Sequence, residues 1–357
     1  MFILFIANDV IPTLQLSFLV PLVSHFESKE LGHAILTERD IKRAMKLGLL
    51  SKTVSAYSPD AIVFCRYSGG GTSELLAEAR SHDAATIFHI DDDLLNIPAS
   101  FGEKKFKFHN DPERLSAVRA LLENCDLVYA ANDRLADRLS KQATLPSTFS
   151  GKIYCSSKIF RVPSKVPTGR IGYMGFDHGD DFELVTPAIA NALNTYPNVT
   201  FTMLGPIPIP AELSAFGDRV RAIEPIRDYG SFRQRLADEA WDIGLCPLLN
   251  TPFNLMKSNI KWVEYTASGM ATIASAGTIY DECCADDCGL LVENRSDAWI
   301  DALQGLLMND ARRYAIAQRA QEKVCVQYAP DVLTRQVQDV LQLALKVRSE
   351  KTASADA

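Results

Sequence analysis

The sequence predicts an α/β protein built of two Rossmann-like domains in series. Three observations predict it. Short apolar runs alternate with amphipathic stretches of helical length along the whole chain, which is the rhythm of βαβ units and parallel sheets. The runs are continuous in Val, Ile, Leu and Phe rather than alternating, as expected where helices cover both sheet faces. A segment rich in Pro, Gly, Ser and Lys, Ser156–Gly169, interrupts the rhythm near the middle, and the rhythm then restarts.

In the first half the strands are Phe2–Ala7, Ala61–Arg66, Ala85–Ile90 and Leu127–Ala130. Helical patterns fall on Thr13–Phe26, Ile41–Tyr57, Thr72–Ser81, Pro112–Asn124 and Arg134–Gln142. In the second half the strands are Arg170–Met174, Val199–Leu204, Arg219–Ile223, Asp242–Pro247, Ala271–Ser275 and Leu290–Val292. The helices there are Phe182–Tyr196, Tyr229–Glu239, Ser258–Ser268, Ala298–Met308, Ala311–Tyr328 and Pro330–Val347. The expected organisation is a first domain over 1–160, a second over 168–330, and a helix over 331–348 that returns to the first domain. A small, polar tail, 349–357, is expected to be disordered.

Thirty-seven Lys+Arg stand against 44 Asp+Glu among 357 residues, a formal charge of −7. That balance argues against a nucleic-acid binder, which carries a basic footprint. The apolar start Met1–Ala7 is stopped by Asn8-Asp9 and lacks a basic n-region, so it reads as a buried strand and not as a signal peptide. A cytoplasmic protein is expected. Cys65, Cys125 and Cys246 sit in strand-like runs, where a reduced thiol acts as a small hydrophobe. Cys283, Cys284 and Cys288 are close in sequence but lack a partner pair that would complete a zinc pattern, so no metal and no cofactor is expected.

Ligands of open parallel sheets bind beyond the carboxyl ends of the strands, so the loops there carry the information. The strongest is the loop after Asp242–Pro247, which enters a helix at Ser258 and Asn259. Ser258 can cap that helix, and Gly269 can end it in a left-handed turn. Lys257 and Lys261 are four apart and Glu264 is three further, so all three can share one side of the helix start. Two ammonium groups beside free helical N–H groups make an anion site suited to a diphosphate. A plain surface Lys–Glu pair is the other reading of the same spacing.

The stretch Lys257–Gly277, with Tyr280-Asp281-Glu282 and Cys288–Val292 after it, resembles the donor-binding segment of GT-B glycosyltransferases. In particular it is similar to the retaining family that includes many bacterial polysaccharide and O-antigen transferases. The resemblance implies two Rossmann-like domains facing a cleft, a nucleotide-sugar co-substrate on the second, and a glycan or lipid-linked acceptor on the first. It places a ribose-binding role on Glu264 and diphosphate contacts on Lys257 and Lys261. It makes Gly175 part of the glycine loop beneath the donor phosphates and puts Ile226 near the base. The chain departs from the family at Met256, where a second glutamate is usual, at Ala271, where proline is usual, and at Phe176–Asp181, where a basic residue is usual.

Three further loops belong to the first half. His89–Pro98 carries Asp91, Asp92 and Asp93 at a strand's carboxyl end. Three adjacent carboxylates repel unless cations or a polar ligand stand nearby. One of them can orient an acceptor hydroxyl or take its proton, and a solvated acidic turn is the equal alternative. Tyr67–Glu74 holds Gly69, Gly70 and Gly71, which permit close backbone approach to an acceptor or simply a tight turn capped by Thr72 or Ser73. Phe101–His109 interleaves basic residues with phenylalanine, a pattern suited to peripheral membrane contact or to a mobile loop with half-buried rings. His25, His33, His82 and His178 lack the frame of a hydrolase triad.

The expected function is therefore a glycosyltransferase, retaining and metal-independent, in surface polysaccharide biosynthesis. The catalytic groups are Asp91, Asp92, Asp93 and Lys261, and the donor contacts are Gly175, Ile226, Lys257, Ser258, Asn259, Lys261 and Glu264. The acceptor contacts are Gly69, Gly70 and Gly71. A catalytically inactive scaffold of the same fold, or a sugar-nucleotide epimerase, is the alternative.

Overall fold

The computed structural model describes residues 1–152, 159–175, 179–226 and 228–355. The chain divides into two compact units: Met1–Tyr154, Met256–Ser258 and Pro330–Ala357 form one, and Cys155–Leu255 with Asn259–Ala329 the other.

The first unit holds a six-stranded parallel sheet of order β2-β1-β3-β4-β5-β6. Its strands are β1 (Phe2–Ala7), β2 (Gly32–Thr37), β3 (Ala61–Cys65), β4 (Ala85–Ile90), β5 (Leu127–Ala130) and β6 (Ser147–Ser150). Strands β1, β3, β4 and β5 lie where the apolar runs predict them. Strands β2 and β6 are additional. Each is an edge strand, paired on one side and only partly buried, so neither carries a continuous apolar run. One face of the sheet packs Ile3, Phe5, Val63, Ile87 and Tyr129 against Leu14, Phe18 and Leu22.

The same core takes Val337, Val340, Leu341 and Ala344 from the helix Pro330–Ala355. That helix continues through Ala355 rather than dissolving into a disordered tail at Ser349. Its last turns are tied down: Lys351 Nζ donates to Asp126 (2.9 Å), and Arg348 Nε and Thr352 Oγ1 donate to Asp83 (both 2.9 Å). Composition cannot show such anchors, because both acids belong to distant loops. The helical pattern over Ile41–Tyr57 is split into Glu38–Lys46 and Leu50–Ser55 at Gly48, whose φ is +65°.

The second unit holds a six-stranded parallel sheet of order β12-β11-β10-β7-β8-β9. The strands are β7 (Arg170–Met174), β8 (Thr200–Leu204), β9 (Val220–Ile223), β10 (Ile243–Cys246), β11 (Ala271–Ser275) and β12 (Leu290–Val292), as the sequence predicts to within a residue or two. Ile171, Tyr173, Phe201, Met203, Leu245 and Ile273 build its core with Ile189, Leu193, Trp299 and Leu303 from the covering helices. The helical pattern Phe182–Tyr196 divides before Pro187, giving Gly179–Glu183 and Thr186–Thr195. No helix among the described residues is long and apolar enough to cross a membrane.

Buried in the first unit, His89 is 1% exposed. Its Nδ1 lies 3.0 Å from the Tyr129 carbonyl, which accepts a hydrogen and leaves Nε2 to accept from the Ser17 hydroxyl at 2.9 Å. Burial pushes the ring's pKa down to about 4. The unfolded chain takes up this proton near pH 6.5 while the folded one resists until about pH 4. Stability is therefore lost as pH falls through that window, by about 3 kcal/mol from this group. Denaturant unfolding from pH 7 to pH 4 should show that loss, and His89→Gln should flatten it. An unchanged slope in the variant would assign the acid sensitivity elsewhere.

Candidate functional site

In each sheet the strand order reverses beside the unit's first strand: between β1 and β3 in one, between β7 and β10 in the other. Loops leaving the carboxyl ends there diverge and open a crevice.

In the second unit, Gly175 follows β7 and donates its N–H to the Leu204 carbonyl at 3.1 Å. Gly205 follows β8 with φ +137°, and a Cβ there would stand 2.0 Å from the Gly175 oxygen. Only glycine fits, so the two loops pack backbone to backbone. Phe176, Asp177 and His178 lie outside the described residues. Asp181, 3% exposed, accepts from the Leu249 N–H (2.7 Å) and from Asn254 Nδ2 (3.3 Å), and so pins the loop after β10. Tyr265 ties the helix beneath to both strands: its hydroxyl accepts from the Met174 N–H (2.8 Å) and donates to the Leu245 carbonyl (3.3 Å).

That helix runs Ile260–Ala267, not Ser258–Ser268. Ser258 is not its cap. The N-cap position is Asn259, which makes no side-chain cap bond; its Nδ2 donates instead to the Tyr328 hydroxyl at 2.7 Å. The Asn259 side chain thus leaves the helix start uncapped, and a helix start is where anions are received. Gly269 ends the helix with φ +78°, as the sequence suggests. Lys261, one residue into the helix, places Nζ 3.1 Å from the Tyr173 hydroxyl and 4.4 Å from that ring's centre. A Cβ on Gly175 would meet the same hydroxyl at 2.8 Å. Lys261, Tyr173 and Gly175 are therefore one cluster at the reversal point. Ile226 is half-buried, and Arg227 beside it lies outside the described residues.

Glu264 is a correction. Its carboxylate is 1% exposed, pairs with Arg233 Nε at 2.9 Å and accepts the Tyr229 hydroxyl; Arg233 Nη1 donates back to that hydroxyl at 3.0 Å. The Arg233 guanidinium also lies 4.4 Å from the centre of the Phe160 ring. Burial pushes the Glu264 carboxyl above its ordinary range, and Arg233 and Tyr229 pull against that. As placed, the carboxylate braces the helix and presents no oxygen to a ribose.

Lys257 is a second correction. It belongs with the first unit, together with Met256 and Ser258. Asn132 Nδ2 donates to the Met256 and Lys257 carbonyls (3.0 and 3.1 Å), and Lys257 Nζ lies 3.7 Å from Asp92 and 5.0 Å from the Phe101 ring centre. The ammonium faces an aspartate of the first unit here.

The acidic run after β4 is resolved by cations. Arg66 Nη1 donates to Asp91 and, at 2.8 Å, to Asp92. Thr13 Oγ1 donates to the second oxygen of Asp91 at 2.9 Å. Arg66 holds φ +50°, a conformation that costs a non-glycine residue and marks a constrained position. Asp93 departs from its expected role. It is 1% exposed, receives Arg138 Nε at 3.1 Å and Asn96 Nδ2 at 2.9 Å, and anchors the loop. His109 stands close enough to feel Arg66 and Asp92. Burial first, then the Arg66 charge, pushes its pKa down to about 4. Asn8, after β1, donates to the Arg66 carbonyl (3.2 Å) and the Ser68 hydroxyl (3.0 Å).

The glycines after β3 are mostly packing positions. A Cβ on Gly69 would meet the Tyr67 hydroxyl at 2.7 Å and Glu38 Cγ at 2.8 Å, and one on Gly71 would meet Met45 Sδ at 2.5 Å. Gly70 is exposed and has nothing within 4 Å of such a Cβ. Neither Thr72 nor Ser73 caps the helix; Gly71 occupies that position. Glu38 is held by Arg114 (2.9 and 3.1 Å) and Lys42 (2.7 Å). Arg66, Tyr173, Asp181 and Asn254 had no sequence signal of their own.

Residues 188–339 match a protein family described as glycosyl transferase-like. No curated protein shares significant sequence similarity with the chain. The fold is similar to that of Anabaena HepE, solved in complex with UDP and glucose, with a TM-score of 0.68, 14% identity, and coverage of 96% of this chain and 99% of that one. It is also similar to a glycosyltransferase from Rickettsia africae (TM-score 0.63, 15% identity, 97% and 98% covered). A third similar structure is an E. coli trehalose-6-phosphate protein bound with UDP-2-fluoro glucose (TM-score 0.61, 14% identity, 96% and 99% covered). The chain is an α/β protein of the GT-B fold.

Proposed function

We propose that the chain is a glycosyltransferase that moves a sugar from a nucleoside-diphosphate sugar to a hydroxyl of a glycan or lipid-linked acceptor. The observation that carries this reading is the cluster of Lys261, Tyr173 and Gly175 beside a helix start without a side-chain cap. As the glycosidic bond breaks, negative charge grows on the leaving diphosphate. A fixed ammonium and the N–H groups of a helix start aimed at it lower the barrier. The glycosyl transferase-like segment and the uridine nucleotides named for two of the similar structures support a uridine donor.

On the acceptor side, Arg66 holds the Asp91 and Asp92 carboxylates aligned, and an acceptor hydroxyl donates to one of them. Retention at the anomeric carbon and metal independence belong to this reading, as does a role in surface polysaccharide synthesis. Incubation with UDP-glucose and a panel of glycan and polyprenyl-phosphate acceptors tests it. Acceptor-dependent release of UDP is expected; interconversion of the donor sugar without acceptor would make the protein an epimerase. The inactive scaffold has one observation in its favour, the burial of Glu264 in an ion pair.

Peripheral membrane contact through 101–109 is part of the proposal. In the helix Glu103–His109 only His109 is half-buried, and Phe106 and Phe108 are 37% and 40% exposed beside Lys104, Lys105 and Lys107. Sedimentation with vesicles containing anionic lipid should fall several-fold in Phe106→Ser with Lys104→Glu. Equal sedimentation would exclude this helix as the contact.

A further inference from the structure

Between the first unit's helices Glu38–Lys46 and Leu50–Ser55 the chain turns a corner with an apolar tip. Met45, Leu47 and Leu49 are 36%, 59% and 40% exposed. Gly48 holds φ +65°, and a Cβ there would meet nothing within 4 Å, so the tip stands clear of the rest of the unit. A single exposed leucine is ordinary, but three large apolar side chains within one short turn make a patch.

The same corner is basic. Residues 38–52 hold Arg39, Lys42, Arg43, Lys46 and Lys52 against two carboxylates, Glu38 and Asp40, in a chain of net charge −7. Both carboxylates are engaged at the helix start. Glu38 accepts from Lys42 at 2.7 Å and from Arg114 at 2.9 Å, and Asp40 accepts the Thr37 N–H at 2.9 Å. Among the described residues no carboxylate pairs with Arg39, Arg43, Lys46 or Lys52, and all four are exposed. Charges at a surface act over roughly 8–10 Å at physiological salt, so the acidic remainder of the chain does not cancel this local excess.

The corner is joined to the helix Glu103–His109. Arg114 donates to both Glu38 oxygens, and its guanidinium lies 3.7 Å from the centre of the Phe108 ring. Met45 follows about two helical turns after Glu38. A convex tip offers no hollow to a folded partner, which needs a complementary patch of several hundred Å². A fluid lipid interface closes around apolar side chains while its anionic headgroups meet the cations.

We propose that the corner Arg43–Leu49 is a contact surface for an anionic lipid bilayer. Met45, Leu47 and Leu49 enter the acyl boundary, and Arg43, Lys46 and their neighbouring cations meet the headgroups. The surface stands on its own residues, independent of the transferase reading, and is a second point of contact beside the helix Glu103–His109.

The test is sedimentation of the full chain with phosphatidylcholine vesicles, with and without phosphatidylglycerol. Binding is expected only with phosphatidylglycerol and should weaken as salt is raised. Arg43→Glu with Lys46→Glu should weaken it at least about tenfold, and Leu47→Ser with Leu49→Ser several-fold. All four side chains are exposed, so both variants should keep the wild-type Tm. In the wild type, amide exchange over 46–50 should slow on anionic vesicles, a readout that needs no variant. Equal sedimentation with the two kinds of vesicle, wild-type affinity in both variants, or unchanged exchange over 46–50 overturns the proposal.

Discussion

Glu264→Ala is expected to cost about 3–5 kcal/mol of folding stability, the largest single effect in the second unit. The substitution leaves the Arg233 charge buried, 1% exposed, with its carboxylate gone, and strips the Tyr229 hydroxyl of its acceptor. Removing one partner of a buried pair costs far more than the pair itself contributes. The check is therefore a second variant. Glu264→Leu with Arg233→Met and Tyr229→Phe removes all three polar groups together and should return to within about 1 kcal/mol of wild type in denaturant unfolding. If Glu264→Ala unfolded like wild type but lost nucleotide affinity, the carboxylate would belong to the ligand and the bracing role would be wrong.

Lys261→Ala has the opposite signature. The ammonium is half-buried and its neighbour Tyr173 stays packed in the core without it, so stability should change by about 1 kcal/mol or less. On the proposed reading the lost charge faces the leaving diphosphate, so turnover of a nucleotide-sugar should fall about 10²–10³-fold. Lys261→Arg should recover part of it. Parallel loss of folding and turnover would make Lys261 structural.

Of the carboxyl-end cluster, Gly175 and Lys261 were legible in the sequence because they lie beyond strands that periodicity locates, whereas Tyr173, inside its strand, carries no such signal. Gly175 follows a clear apolar run, and Lys261 follows another by way of a loop and a helix start. What the sequence could not show is which distant partner claims a side chain. Glu264 sits on the expected helix face, but its carboxylate is taken by Arg233 and Tyr229 from another helix. Lys257 is only four residues from Lys261, yet its segment belongs with the first unit and its ammonium with Asp92. The acidic run Asp91–Asp93 demanded cations on electrostatic grounds. Arg66 and Arg138 supply them from separate elements, and Arg138 ties buried Asp93 into its loop. The edge strands β2 and β6 carry no sequence signal for a related reason: half-exposed strands have no continuous apolar signature. The helix beyond Ser349 is held by Asp83 and Asp126, which no local pattern announces.

Calorimetric titration of UDP and UDP-glucose into wild type and Lys261→Ala tests the central claim most directly. Saturable binding of one nucleotide per chain is expected, weakened at least about tenfold in the variant through loss of a charge-assisted contact to the diphosphate. No binding of either ligand to the folded wild-type chain, or equal affinity in the two proteins, would contradict it.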